Sequence, residues 1–190
     1  DIQKLNEDGH GQYLGQFKDD DKVLAVFRNG TFYTTSFDLV NKYQGDVLFV
    51  EKYDPDKTFT ALYWDGAVKS FYVKRFSFPL SDNTPMSFIS DAAKSYLAGL
   101  SGDVHPRYEI IWKLSDKEPE TVVAEEWIAK KGIAAKGKKC AERGEVKSVR
   151  FIEPLPDEPV VIPAEEPETP SDLDEVPDFP GGLFEEPTLF

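Results

Sequence analysis

The chain has 190 residues, one cysteine and a formal net charge of −13, with 40% hydrophobic and 13% aromatic residues. A single cysteine excludes an internal disulfide, and no apolar run approaches the roughly 20 residues of a membrane-spanning helix. The acidity sits at one end: residues 151–190 hold 12 acidic residues and no Lys or Arg, so residues 1–150 are nearly neutral and a nucleic-acid partner is not excluded.

In chain order, residues 1–18 read as an entry segment, with a turn at Asp8-Gly9-His10-Gly11 and a short strand over Tyr13 to Phe17. The opening at Asp1 reads as a piece cut from a longer protein, and no signal-peptide pattern leads it. Lys18-Asp19-Asp20-Asp21 is a polar loop. Val23 to Phe27 and Thr31 to Thr34 flank Asn29-Gly30 and predict a hairpin over Lys22 to Ser36. Val47 to Tyr53 is an apolar strand closed by Asp54-Pro55-Asp56. Phe59 to Trp64 and Val68 to Val73 flank Asp65-Gly66 and predict a second hairpin over Thr58 to Phe78. Pro79 to Pro85 is a loop, Met86 to Ser90 a short strand, and Asp91 to Lys94 a helical turn. Tyr96 to Leu100 and Tyr108 to Trp112 flank Ser101-Gly102 and predict a third hairpin. An apolar run from Val122 to Trp127 leads into a basic stretch, and Val146 to Ile152 closes the folded body.

Gly30, Gly66 and Gly102 are spaced by 36 residues both times, a period typical of repeated supersecondary units. Asn-Gly and Asp-Gly between apolar runs predict type I′ turns, with φ > 0 at both central residues. The expected fold is all-β: a propeller-like array of three to four hairpin blades, complete or incomplete, over residues 1–152. Residues 153–190 hold nine of the 14 prolines and read as an acidic, flexible tail.

No catalytic constellation stands out, and neither a catalytic residue, a metal nor a cofactor is expected. His10 and His105 have no partner at metal-ligand spacing, and Asp19-Asp20-Asp21 lacks the pattern of a calcium loop. Cys140 follows Lys138 and Lys139, which favours a thiolate, but no partner for nucleophilic chemistry is visible. The basic stretch is the better candidate. Lys130, Lys131, Lys136, Lys138, Lys139, Arg143, Lys147 and Arg150 face only Glu142 and Glu145 within residues 130–150. Interleaved glycines let backbone approach a phosphate chain. The same composition also fits a charged edge that deters sheet-to-sheet aggregation. Lys74 and Arg75, at the end of the second hairpin, form a smaller basic set.

The segments KVLAVFRNGTFYTTSFDL and DVLFVEKYDPDKTFTALYWDGAVKSFYVKRF, with the later WIAKKGIAAKGKK, resemble the C-terminal domain of the A subunit of bacterial type IIA topoisomerases, the topoisomerase IV kind. The likeness spans roughly residues 1–152. It implies a β-pinwheel, blades with exchanged strands and a basic outer rim that binds and bends duplex DNA for a separate catalytic core. The Gln-Arg-Arg-Gly-Gly type of basic box that marks gyrase is missing.

Carried over to this chain, the resemblance makes Lys130, Lys131, Lys136, Lys138 and Lys139, with Lys74 and Arg75, the expected DNA contacts, and the basic stretch adds Arg143. It implies as partners double-stranded DNA, the rest of the A subunit and an ATPase B subunit, in the cytoplasm at the nucleoid and away from membranes. A propeller-like protein-interaction module is the alternative. Pro187-Thr188-Leu189-Phe190 weakly resembles sliding-clamp-binding peptides but lacks their leading Gln, so Leu189 and Phe190 are a minor candidate.

Overall fold

The computed structural model describes residues 2–157, and antiparallel sheets account for most of its regular structure. The strands are β1 (Ile2–Lys4), β2 (Val23–Phe27), β3 (Thr31–Thr35), β4 (Lys42–Gln44), β5 (Val47–Lys52), β6 (Phe59–Asp65) and β7 (Ser70–Phe76). They continue with β8 (Met86–Ser87), β9 (Tyr96–Ser101), β10 (Arg107–Trp112), β11 (Glu120–Val123), β12 (Lys138–Lys139) and β13 (Val146–Ile152). One turn of helix, α1 (Ala124–Trp127), follows β11.

The pairing obeys one rule. A hairpin forms the middle of each blade: β2-β3, β6-β7 and β10-β11. The last strand of the same unit pairs with the first hairpin strand, giving β5 on β2, β9 on β6 and β13 on β10. The strand between them in the chain leaves for the blade before. Thus β8 completes the first blade on β3, and β12 completes the second on β7. The result is two four-stranded sheets and one three-stranded sheet, preceded by a β1-β4 ribbon. This is the strand exchange of a pinwheel-like array, and among the described residues the sheets do not close into a barrel.

The blades stack face to face, which explains why β2 and β6 are apolar on both sides. Leu24 and Val26 of the first blade meet Ala61 and Tyr63 of the second in one core cluster. Phe78 is its hub, with ring centroids of Phe32, Phe59, Phe76 and Phe88 at 4.7, 5.0, 4.8 and 5.1 Å. On the other face of the second blade, Leu62, Phe71 and Val73 pack on Tyr108, Ile110 and Trp112 of the third. Val23, Ala25 and Phe27 form a third cluster with Tyr43 of the ribbon. In β10 burial alternates, because only one of its faces meets another blade.

Several expectations change. The Asn29-Gly30 turn closes through the Gly30 N–H to the Phe27 carbonyl, and Gly30 alone takes a positive φ, +80°. It is a type I turn followed by a left-handed glycine, which matches strand twist through a three-residue loop. At Asp65-Gly66 the positive φ belongs to Lys69, and the Asp65 carboxylate accepts the N–H groups of Ala67 and Val68. Neither turn is type I′.

Ser101-Gly102 is no hairpin turn at all. It joins β9 to β10, which lie in different sheets, so the third glycine shares the 36-residue step without sharing the role. The repeat is marked by β2, β6 and β10, which begin at residues 23, 59 and 107. Tyr13 to Phe17 forms no strand, while β1 and β4 do. The tail expectation for residues 158–190, including Leu189 and Phe190, lies outside the described residues.

Candidate nucleic-acid interface

Three connections link a hairpin to the strand it exports: residues 36–41, 77–85 and 124–137. Their topology is the same and their chemistry is not. The first two contain no Lys or Arg, whereas the third carries Lys130, Lys131 and Lys136 and runs into the Lys138-Lys139 strand. β12 is the outer edge of the second blade, and the opposite edge strand, β9, is the one that meets β5 and β13. The basic stretch therefore lies along a sheet edge away from the contact among β5, β9 and β13.

The stretch is strapped to the second blade at four places. The Lys131 N–H donates to the Arg75 carbonyl at 2.8 Å. The Lys74 ammonium donates to the Ile133 carbonyl. The Tyr63 hydroxyl donates to the Lys136 carbonyl at 2.6 Å, and the Cys140 N–H to the Phe71 carbonyl at 2.9 Å. At Gly137 the chain turns with φ +91°, and a Cβ there would stand 2.3 Å from the Val73 carbonyl oxygen. Only glycine admits that approach.

The candidate cations divide into two groups. Lys130, Lys131, Lys139 and Arg143 are exposed and, among the described residues, have no carboxylate within ion-pair distance. Lys136 is already engaged: its Nζ lies 3.0 Å from Asp65 Oδ2, with Asp65 only 2% exposed, and 4.7 Å from the Tyr72 ring centroid. The hydrogen bond to Asp65 holds the Lys136 pKa above its ordinary value, despite an opposing effect of burial. Lys138 is shared between solvent and a neighbouring ring, with Nζ 3.5 Å from the Trp127 ring centroid and 3.9 Å from Glu142.

Lys74 is a correction. It is 3% exposed, and its ammonium donates to the Phe88 carbonyl at 2.6 Å as well as to Ile133. The ring centroid of Phe76 lies 5.0 Å away. Desolvation drives its pKa down to about 8. A cation enclosed in this way cannot reach a phosphate; it holds two crossing segments onto β7. Arg75 is half-buried, and its backbone anchors Lys131.

The residues that shape the stretch are ones that charge counting passes over. Trp127 donates its indole N–H to the Lys139 carbonyl at 2.9 Å, fixing β12 while its ring supports Lys138. Asp65 acts from a different hairpin. No local signal announces either role. Cys140 is 1% exposed and burial pushes its thiol pKa up, opposite to the effect expected from the adjacent lysines. His105 contacts Glu125 at 2.6 Å, and no metal-holding cluster occurs among the described residues. No helix among them is long and apolar enough to cross a membrane.

A family model described as the topoisomerase C-terminal domain of Bacteroidota matches residues 4–153. No curated protein sequence matches. Among solved structures, a crystal structure of the C-terminal domain of DNA topoisomerase IV is similar at 12% identity with a TM-score of 0.47. That match covers 73% of this chain and 48% of the other, so this chain spans about half the length of that structure. The family model covers both hairpins that carry the resemblance and the whole basic stretch, and on that match the chain belongs to the topoisomerase C-terminal domain family of Bacteroidota, an accessory domain and not a catalytic core.

Proposed function

We propose that this domain binds duplex DNA through its phosphates, without reading base sequence, and positions it for strand passage by the catalytic core of a type IIA topoisomerase. The parent chain is the A subunit of a topoisomerase IV kind of enzyme, acting with an ATPase B subunit in the cytoplasm at the nucleoid. One observation carries the reading: of three topologically equivalent connections, one alone is cationic; with the β12 edge and the loop that follow it, it presents Lys130, Lys131, Lys139 and Arg143 exposed and, among the described residues, without a carboxylate partner. Four phosphate contacts give a salt slope of roughly −3.6 in log K against log salt. Bending is offset by the number of contacts that a curved duplex makes.

The test is a gel-shift titration with a long duplex at two salt concentrations, on the wild-type domain and on Lys130→Glu, Lys131→Glu, Lys139→Glu combined. Salt-sensitive binding that the triple variant loses supports the reading. A wild-type domain that ignores DNA at low salt replaces it with the protein-interaction module.

A further inference from the structure

At the hairpin-turn end of each blade, the central strand (β2, β6 or β10) meets the chain that leads into the last strand of the same unit. In the first blade Arg28 donates its N–H to the Asp46 carbonyl at 2.9 Å, and its guanidinium lies 3.1 Å from the Asp46 carboxylate. In the third blade Lys113 donates its N–H to the Glu145 carbonyl at 2.9 Å, and its ammonium lies 3.4 Å from the Glu145 carboxylate. In the second blade the register brings Asp65 and Ser95 to this place, and the Ser95 hydroxyl accepts the Gly66 N–H at 2.9 Å. The Asp65 carboxylate, 2% exposed, is taken up by the N–H groups of Ala67 and Val68 and by Lys136. The ion pair that closes the other two blades is absent here.

Two lysines flank this crossing instead. Lys69 and Lys94 are exposed and, among the described residues, have no carboxylate within ion-pair distance. Both take a left-handed backbone, with φ +55° and +65°. The other units place glycine at the corresponding positions. Lys69 directly precedes β7, as Gly30 with φ +80° directly precedes β3. Lys94 stands two residues before β9, as Gly45 and Gly144, with φ +110° and +90°, stand two residues before β5 and β13. That conformation suits glycine and disfavours any residue with a Cβ. The second blade therefore keeps two strained lysines where glycine would be unstrained, and strain of this kind persists where function uses it.

The place is continuous with the cationic edge. Lys136 reaches Asp65 at 3.0 Å, and Lys139 pairs with Tyr72, three residues from Lys69. Three residues of strand span about 10 Å, roughly three phosphates along one DNA strand. Lys94 is held beside the turn, because a Cβ at Gly66 would collide with the Ala93 carbonyl oxygen and stand 3.1 Å from the Lys94 carbonyl carbon. We propose that Lys69 and Lys94 form a second phosphate contact, by which the duplex lying on the cationic edge continues over the turn end of the second blade. The proposal rests on the DNA-binding reading and adds two contacts to its four.

The test is the salt dependence of long-duplex binding by the domain, compared between wild type and Lys69→Asn, Lys94→Asn combined. Asparagine removes the charge and adopts the left-handed backbone more readily than lysine, so thermal unfolding stays at or above the wild-type temperature. The expected slope of log K against log salt is smaller in magnitude by roughly 1.8, while Lys69→Arg, Lys94→Arg keeps the wild-type slope. Lys4→Asn, Lys42→Asn makes the same charge change on the β1-β4 ribbon and leaves the slope unchanged. A wild-type slope in the Lys69→Asn, Lys94→Asn variant, or an equal loss from the ribbon variant, would overturn the proposal. If that slope persists while Lys130→Gln, Lys131→Gln lowers it, the cationic edge stands and the turn contact falls. A wild-type domain without salt-sensitive binding removes both.

Discussion

The Lys74 ammonium on β7 donates to the carbonyl of Ile133, in the middle of the connection that carries Lys130, Lys131 and Lys136. A buried cation thus holds exposed cations in place. Its second acceptor, Phe88, comes from the segment just after the strand exported to the first blade, so one side chain ties together two crossings between blades. Burial costs this lysine part of its proton affinity, and the consequence is measurable.

The Lys74 pKa is lowered from 10.5 to about 8 in the fold. The unfolded chain then binds more protons than the native one between those values, so stability rises with pH across that window and the gain is lost as pH falls through about 8. Cys140 and the buried tyrosines Tyr63 and Tyr108, whose pKa values are raised, act in the opposite direction as their unfolded forms ionise. Comparison with Lys74→Met cancels those contributions. Urea unfolding should show the wild type gaining about 1 kcal/mol relative to Lys74→Met between pH 8 and pH 9. Parallel pH profiles would show that Lys74 titrates as it does in water.

Gly137 and Gly132 lie in the same connection and should respond differently to alanine. Gly137 has φ +91° and its Cβ would meet the Val73 carbonyl oxygen, whereas Gly132 has open space around it. Gly137→Ala is expected to cost about 1–3 kcal/mol through backbone strain and loss of the β12 pairing. Gly132→Ala is expected to be neutral or to stabilise by up to about 1 kcal/mol. Thermal unfolding of the two variants checks both.

The hairpins were legible because their signals are local. Asn29-Gly30 and Asp65-Gly66 sit between apolar runs, and each run pairs with its neighbour in sequence. The pairing of the exported strands was not. Met86-Ser87 falls within the short strand expected over Met86 to Ser90, but its partner was not readable, and Lys138-Lys139 carries no strand signal at all; both are two residues long and exposed, and their places on β3 and β7 are set by tertiary pairing. Gly102 misled because a connection between blades and a hairpin turn need similar residues. The basic stretch was visible as composition. Which of its cations are free was not, because Asp65 and Lys136 meet from distant parts of the chain.

Cys140 should be inert in the native domain. At 1% exposure with its pKa raised by burial, it presents neither access nor thiolate. A thiol reagent at pH 8 should label it only as fast as the domain unfolds, and urea should bring the rate to that of a free cysteine. Rapid labelling without denaturant would show that the packing of β12 on β7 opens readily.

The cationic edge is the central claim, and the salt dependence of duplex affinity tests it most directly. The edge cations are expected to contribute roughly −3.6 to the slope of log K against log salt of the wild-type domain, which falls in magnitude by roughly 0.9 for each of Lys130→Gln, Lys131→Gln, Lys139→Gln and Arg143→Gln. Lys74→Met should leave the slope nearly unchanged, since its ammonium is enclosed. A wild-type slope near zero, or one that the four surface substitutions do not reduce, would contradict the account.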